Sequence, residues 1–122
     1  DGQIYDAYSF VNDLIKLAKE EVILIDNYID DTVFTLFSKY PNINFTIYTS
    51  TISKQLKLDF EKYSKQYKNI SLKTFKSSHD RFLIIDKKEI YHLGASLKDL
   101  GKKWFAFSKM SFDIDLIFNR LK

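Results

Sequence analysis

The chain contains no cysteine, and this absence excludes disulfide bonds, thiol chemistry and the usual ligands of a structural zinc site. With only two histidines, His79 and His92, the sequence predicts neither a metal ion nor another cofactor. No apolar run is long enough to cross a bilayer, and the first residues lack the basic and apolar segments of a signal peptide. We therefore expect a cytoplasmic protein that does not enter a membrane.

The 122 residues are 45% hydrophobic and 16% aromatic, which is enough for one sizeable core. No repeat, low-complexity tract or linker divides them, so residues 1–122 are predicted to form a single domain. The chain does not start with methionine, and we expect it to be part of a longer protein. A net charge of +3, with many lysines in the second half, favours a polyanionic partner, although an ordinary solvated surface is the alternative.

Hydrophobic periodicity predicts helices and strands in alternation. The predicted helices are 6–19 with Phe10, Leu14, Leu17 and Ala18 on one face, 31–40 ended by Pro41, 53–68 with Ser53 as N-cap, 96–102 and 113–121. The predicted strands are 21–26, 44–49, 70–75, one within HDRFLIID, and 89–93, which pairs with the previous one as a hairpin. This pattern predicts an α/β fold with a mixed sheet flanked by helices.

The segment HDRFLIID carries the clearest chemical signal. His79 and Arg81 are two residues apart, so on a strand they share one face. A guanidinium that holds two anionic oxygens, beside an imidazole that can attack phosphorus or transfer a proton, suits a phosphate group. Asp86 reaches that face only if the strand twists or turns, and Lys87 and Lys88 supply a turn.

The spacing of His79, Arg81 and Asp86 resembles the HxK(x4)D motif of the phospholipase D superfamily. In that family the histidine forms a phosphohistidine, the lysine binds phosphate, and a later Gly-Ser-x-Asn segment lines the pocket. The resemblance implies a phospholipase D-like α/β sandwich. It also implies a metal-independent phosphodiesterase in which His79 is the nucleophile, Arg81 binds phosphate, and Asp86 or a neighbouring carboxylate orients the imidazole.

The sequence departs from the family motif in two places. Arg81 stands where the family has lysine, which keeps the charge but changes the donor geometry. The segment after Asp86 is one residue longer than usual and reads Gly94-Ala95-Ser96, so either a hydroxyl or an amide of the family pattern is missing. Gly94 and Ser96 are the predicted phosphate ligands there. A degenerate site is therefore an open alternative.

The chain has one such motif, whereas phospholipase D chemistry uses two. The resemblance therefore implies a homodimer in which His79 of one subunit attacks a phosphodiester and His79 of the other protonates the leaving group. Nucleic acid, and DNA in particular, suits the basic surface better than lipid does.

A second hypothesis comes from the stretch that begins at HDRFLIID and ends at GKKWFAF. It also resembles the carboxyl-terminal domain of phage or prophage DNA-binding proteins of the KilA-N or ORF6N kind. On that hypothesis the domain is a catalytically degenerate DNA-binding or dimerisation module. Arg81 and the missing Gly-Ser pair favour the module, while His79 and Asp86 favour the enzyme. A scaffold without any ligand is the third possibility.

Polar residues that follow the first two predicted strands are further candidates. Ligands gather at the carboxyl ends of parallel strands, so Asp26, Tyr28 and Thr49 are predicted to line a pocket. The alternative for each is a helix cap or a turn former. His92 has the sequence context of a surface or hairpin histidine.

Overall fold

The computed structural model describes residues 7–76, 80–93 and 107–110. Helices in these ranges are α1 (Ala7–Lys16), α2 (Asp31–Phe37) and α3 (Lys54–Gln66). Strands are β1 (Glu21–Ile25), β2 (Asn44–Thr49), β3 (Ile70–Thr74), β4 (Arg81–Ile85), β5 (Glu89–Leu93) and β6 (Phe107–Met110). They form one sheet in the order β3-β2-β1-β4-β5-β6. The fold is α/β with a mixed sheet flanked by helices, as predicted.

The strand pairing changes from parallel to antiparallel at the centre of the sheet. β1, β2 and β3 pair in parallel, whereas β4 runs antiparallel to β1 and continues into antiparallel pairs with β5 and then β6. Because β4 is antiparallel, its first residue lies at the same end of the sheet as the last residues of β1 and β2. This arrangement brings the start of the motif strand to the carboxyl ends of the parallel strands.

Side-chain hydrogen bonds fix the beginnings of the two helices that connect the parallel strands. The carboxylate of Asp30 accepts a hydrogen bond from the amide of Thr32 at 3.0 Å and caps α2. The hydroxyl of Ser53 accepts from the amide of Leu56 at 3.1 Å and caps α3, which confirms the predicted cap. α2 ends at Phe37, well before Pro41.

The prediction for the first helix is wrong in one respect. α1 buries Leu14 as predicted, together with Val11 and Ile15, but Leu17 is 59% exposed. The helix ends at Lys16, so Leu17 no longer follows helical spacing and points away from the core. The chain then turns toward β1.

Alternate residues of the strands supply two apolar clusters, one on each face of the sheet. The larger cluster joins Val22, Leu24 and Leu83 to the buried faces of the helices, and we call this side the helix face. The second face carries Ile23, Ile25, Ile84 and Ile90, with Tyr48, Phe75 and Phe82 packed beside them. Residues of one strand therefore divide between the faces by parity, as a pleated sheet requires.

Two predicted helices, 96–102 and 113–121, lie outside the described residues. β6 was not among the predicted strands, and it pairs with β5 from Leu93–Phe107 to Ile90–Met110. No helix in the described ranges combines the length and the apolar character that a transmembrane segment needs.

Candidate functional site

One row of side chains crosses the sheet at the carboxyl end of β1. Ile25 pairs with Tyr48 of β2 and with Phe82 of β4, so the next position sets Asp26 between Thr49 and Arg81. The backbone amide of Asp26 donates to Tyr48 O at 3.0 Å, which shows that the pairing with β2 continues past the last residue of β1. Neighbouring strands lie about 4.8 Å apart, so the register places these three positions side by side.

The row extends one strand further because Thr49 pairs with Thr74 of β3. By parity Thr49, Asp26 and Arg81 share the side of Leu24 and Leu83, which is the helix face. We call Thr74, Thr49, Asp26 and Arg81 the Asp26 row. It joins three of the predicted site residues in a single cross-strand line.

Asp26 is fully buried and shapes the loop that follows β1. Its Oδ1 accepts a hydrogen bond from the backbone amide of Tyr28 at 3.0 Å, two residues on, which is the geometry of an Asx turn. The alternatives from sequence were a pocket residue and a turn former. Asp26 forms the turn, and it does so next to Arg81.

Tyr28 lies over this row and remains 59% exposed. The guanidinium carbon of Arg81 is 6.0 Å from the centroid of the Tyr28 ring, within the range of a cation–π contact. The half-buried guanidinium and the exposed ring therefore form one surface at the carboxyl end of β1. The sequence predicted both residues for the site but gave no signal that they touch.

Two buried polar atoms of the row have no hydrogen-bond partner among the residues that the structure describes. They are Oγ1 of Thr49, a residue that is wholly buried, and Nε of the half-buried Arg81. A buried donor without a partner costs about 1–3 kcal/mol, because it has lost its water without replacement. Both groups are donors of the kind that oxygens of an anionic ligand accept, and the half-buried Arg81 is the one of the two residues that reaches the surface.

Asp86 lies at the other end of β4. Five residue steps separate it from Arg81, which corresponds to about 17 Å along an extended strand. Its carboxylate accepts hydrogen bonds from the backbone amides of Lys19 at 2.8 Å and of Glu20 and Glu21 at 2.9 Å each. The structure therefore does not bring Asp86 together with Arg81. Its contacts anchor the start of β1.

These contacts also change the acidity of Asp86. Hydrogen bonds from the amides of Glu21 and Lys19 stabilise the carboxylate and hold its pKa below its usual value, and the nearby Lys88 acts in the same direction. The residue sits in a tight turn, with Asp86 at φ 52° and Lys87 at φ 56°. The predicted turn at Lys87–Lys88 is thus centred one residue earlier.

The remaining motif residues, His79, Gly94 and Ser96, lie outside the described residues. His92 belongs to β5 and pairs with Phe82, so it lies on the second face, opposite to the Asp26 row. Its ring is 5.5 Å from that of Phe82 in an edge-on contact, and its Nε2 is 3.4 Å from Asp80 Oδ1. Among the described residues, no group of three potential metal ligands comes together.

No protein-family model matches the chain, and no curated protein matches it in sequence. Among solved structures the chain is similar to TrmBL2, an archaeal chromatin protein whose structure was described as showing a novel mode of DNA binding. The match has a TM-score of 0.61 and 15% sequence identity, and it covers 94% of this chain. The chain spans about half of its neighbour's length, 46%. At this identity the likeness shows the fold alone.

Proposed function

We propose that this chain is a nucleic-acid-binding domain that holds a phosphodiester group of the backbone at the Asp26 row without cleaving it. The observation that carries the proposal is the pair of buried donors, Arg81 Nε and Thr49 Oγ1, which find no partner within the described part of the chain. Phosphate oxygens accept hydrogen bonds from both kinds of donor, and the guanidinium adds a charge that is permanent.

The charges around the row suit a polyanion. Exposed lysines lie at the same end of the sheet: Lys54 starts α3 after the carboxyl end of β2, and Lys76 follows β3. The protein as a whole carries a net charge of +3. Lysines placed around a bidentate arginine attract a phosphate backbone over a distance of several ångströms, while the arginine fixes one phosphate.

Carboxylates at this end of the sheet have contacts within the protein. Asp26 accepts from the amide of Tyr28, Asp30 from the amide of Thr32, and Asp80 faces His92. Asp26 and Asp30 therefore already accept hydrogen bonds from backbone amides of the protein before a ligand arrives. The structural neighbour gives weaker support, since a protein of similar fold has been described as binding DNA.

Binding without cleavage fits the residues better than the phosphodiesterase that the HxR(x4)D motif predicts. Arg81 stands in the position of the family's lysine, and Ala95 replaces its serine when the glycines are aligned. Asp86, which was predicted to act on the histidine, is bonded to three backbone amides at the far end of β4. The enzymatic hypothesis would in addition need a second His79 from another copy of the chain.

The proposal is tested by fluorescence anisotropy of labelled DNA oligonucleotides in EDTA, with salt raised from about 50 to 200 mM. We expect the affinity to fall linearly on a log–log plot. Arg81→Ala should weaken binding about tenfold and reduce the slope by about one, because one phosphate contact is lost. Arg81→Lys should restore the slope but only part of the affinity.

The matched control is Lys88→Ala, which removes an exposed cation at the opposite end of the same hairpin. It should leave both the affinity and the slope near those of the unchanged protein. If the protein does not bind DNA at low salt, or if the Arg81 and Lys88 variants lose the same affinity, the Asp26 row is not a phosphate site. Circular dichroism of each variant checks that it is folded.

A further inference from the structure

We infer that the nucleic acid held at the Asp26 row is single-stranded, with one unpaired base stacked on Tyr28 while Arg81 binds the adjoining phosphate. This inference rests on the proposed function and specifies the class of ligand. It concerns a contact that a phosphate site alone does not need, since Tyr28 offers a flat apolar surface rather than a charge.

Tyr28 is one of three large hydrophobic side chains that are more than half exposed in the described ranges. The others are Leu17 at 59% and Leu58 at 54%. Leu17 lies between α1 and β1, at the amino end of β1, and Leu58 lies on the outer side of α3. Tyr28 alone among these three lies beside the Asp26 row. An exposed aromatic ring beside an arginine is a combination that proteins use to hold a base and its phosphate.

The backbone on both sides of this ring is fixed. Before it, Asp26 is fully buried and its Oδ1 accepts from the Tyr28 amide at 3.0 Å. After it, Ile29 packs against the cluster on the helix face. The main chain therefore presents the ring from a rigid turn, so little conformational entropy of the backbone is lost when a ligand stacks on it.

The cation–π contact sets the geometry of the ligand. With the Arg81 guanidinium carbon 6.0 Å from the ring centroid, a phosphate on Arg81 and a base on the ring belong to the same or to adjacent nucleotides. In a duplex the faces of the bases are covered by their neighbours in the stack. Tyr28 could therefore stack on a base only if that base were flipped out of the duplex. A single strand presents its base faces without that penalty.

The test compares two single strands of equal length, oligothymidylate and an abasic oligonucleotide with the same phosphates. We expect Tyr28→Ala to bind oligothymidylate about tenfold more weakly and the abasic strand as well as the unchanged protein does. Tyr28→Phe should keep the affinity, because the ring rather than the hydroxyl makes the contact. Arg81→Ala should weaken binding to both strands.

The control is Leu58→Ala, which removes an exposed apolar side chain of similar exposure on α3. It should affect neither strand. If the unchanged protein binds both strands equally, or binds a duplex as tightly as oligothymidylate, the base contact is refuted while the phosphate proposal stands. If it binds neither strand at low salt, both proposals fail together.

Discussion

At the scale of single residues, the carboxylate of Asp86 joins the β4–β5 turn to the start of β1. It accepts hydrogen bonds from the amides of three successive residues, and such bonds to a charged acceptor are stronger than those between neutral groups. The same bonds lower the pKa of Asp86 from about 3.8, with the Glu21 amide as the largest cause. The stability that these hydrogen bonds contribute is therefore fully present above pH 3.8, and it is lost as the pH falls through the lowered pKa of Asp86.

We predict that Asp86→Asn lowers the free energy of unfolding by about 1–2 kcal/mol at neutral pH, because the amide offers one acceptor oxygen and turns an NH₂ toward the backbone donors. Urea unfolding at neutral pH and in acid measures this change. In acid the free energies of unfolding of the variant and of the unchanged protein should converge. Asp13→Asn, an exposed carboxylate on α1, is the control and should change little. A variant of Asp86 that is fully stable but no longer binds DNA would instead assign Asp86 to the site.

Thr49 offers a second prediction at this scale, because its buried hydroxyl lacks a partner among the described residues. Thr49→Val keeps the shape of the side chain and removes the unsatisfied group, so we expect the fold to gain about 1 kcal/mol while affinity for DNA falls. Thermal unfolding and anisotropy on the same samples measure both effects. Thr35→Val is the control, since the Thr35 hydroxyl already bonds Asp31 O and Tyr63, and it should not stabilise the protein. Stabilisation without loss of affinity would remove Thr49 from the site.

At the scale of elements, the turn between β4 and β5 contains avoidable strain. Lys88 N donates to Ile85 O at 2.9 Å, and both central residues have positive φ, which is the geometry of a type I′ turn. A left-handed conformation costs a residue with a Cβ about 1–2 kcal/mol, and glycine avoids that cost. Asp86 must stay for its hydrogen bonds, so Lys87 is the position to change.

We predict that Lys87→Gly raises the free energy of unfolding by about 0.5 kcal/mol, after the greater freedom of glycine in the unfolded chain is subtracted. One ion pair that it removes, Lys87 Nζ to Glu21 Oε2, is long at 3.8 Å and lies near the surface, so it contributes little. Urea unfolding measures the change. Lys88→Gly, which has no positive φ to relieve, should destabilise by about 0.5–1 kcal/mol. Equal effects at the two positions would refute the turn geometry.

The elements also show which features local sequence could predict. β1 and β2 were predicted to within one residue, because their apolar and β-branched runs are bounded by polar residues, and Ser53 was identified as a cap from its position before an amphipathic run. β6, with the sequence FSKM, has no such signal, and its strand conformation depends on pairing with β5. The prediction for Leu17 was wrong because its spacing matches the apolar face of a helix, whereas the helix ends one residue earlier, at Lys16.

At the scale of the whole molecule, the Asp26 row depends on topology. The rule that ligands gather at the carboxyl ends of parallel strands predicted Asp26, Tyr28 and Thr49. That Arg81 joins them requires β4 to lie beside β1 and to run antiparallel to it, and the periodicity of a strand does not specify its neighbour or direction. The same topology carries Asp86 to the far end, so the two described residues of one short motif divide between opposite ends of the sheet.

That division leads to a prediction about catalysis and assembly. If the Asp26 row binds phosphate without turnover, a labelled single strand should stay intact in EDTA at every protein concentration, as a denaturing gel would show. The phosphodiesterase hypothesis requires two copies of His79, so its rate per chain should rise with the fraction of dimer, which sedimentation at the same concentrations measures. Cleavage that follows the dimer fraction and disappears in His79→Ala would refute the binding module. A dimer that binds but leaves the strand intact would support it, because assembly alone would then fail to complete a catalytic site.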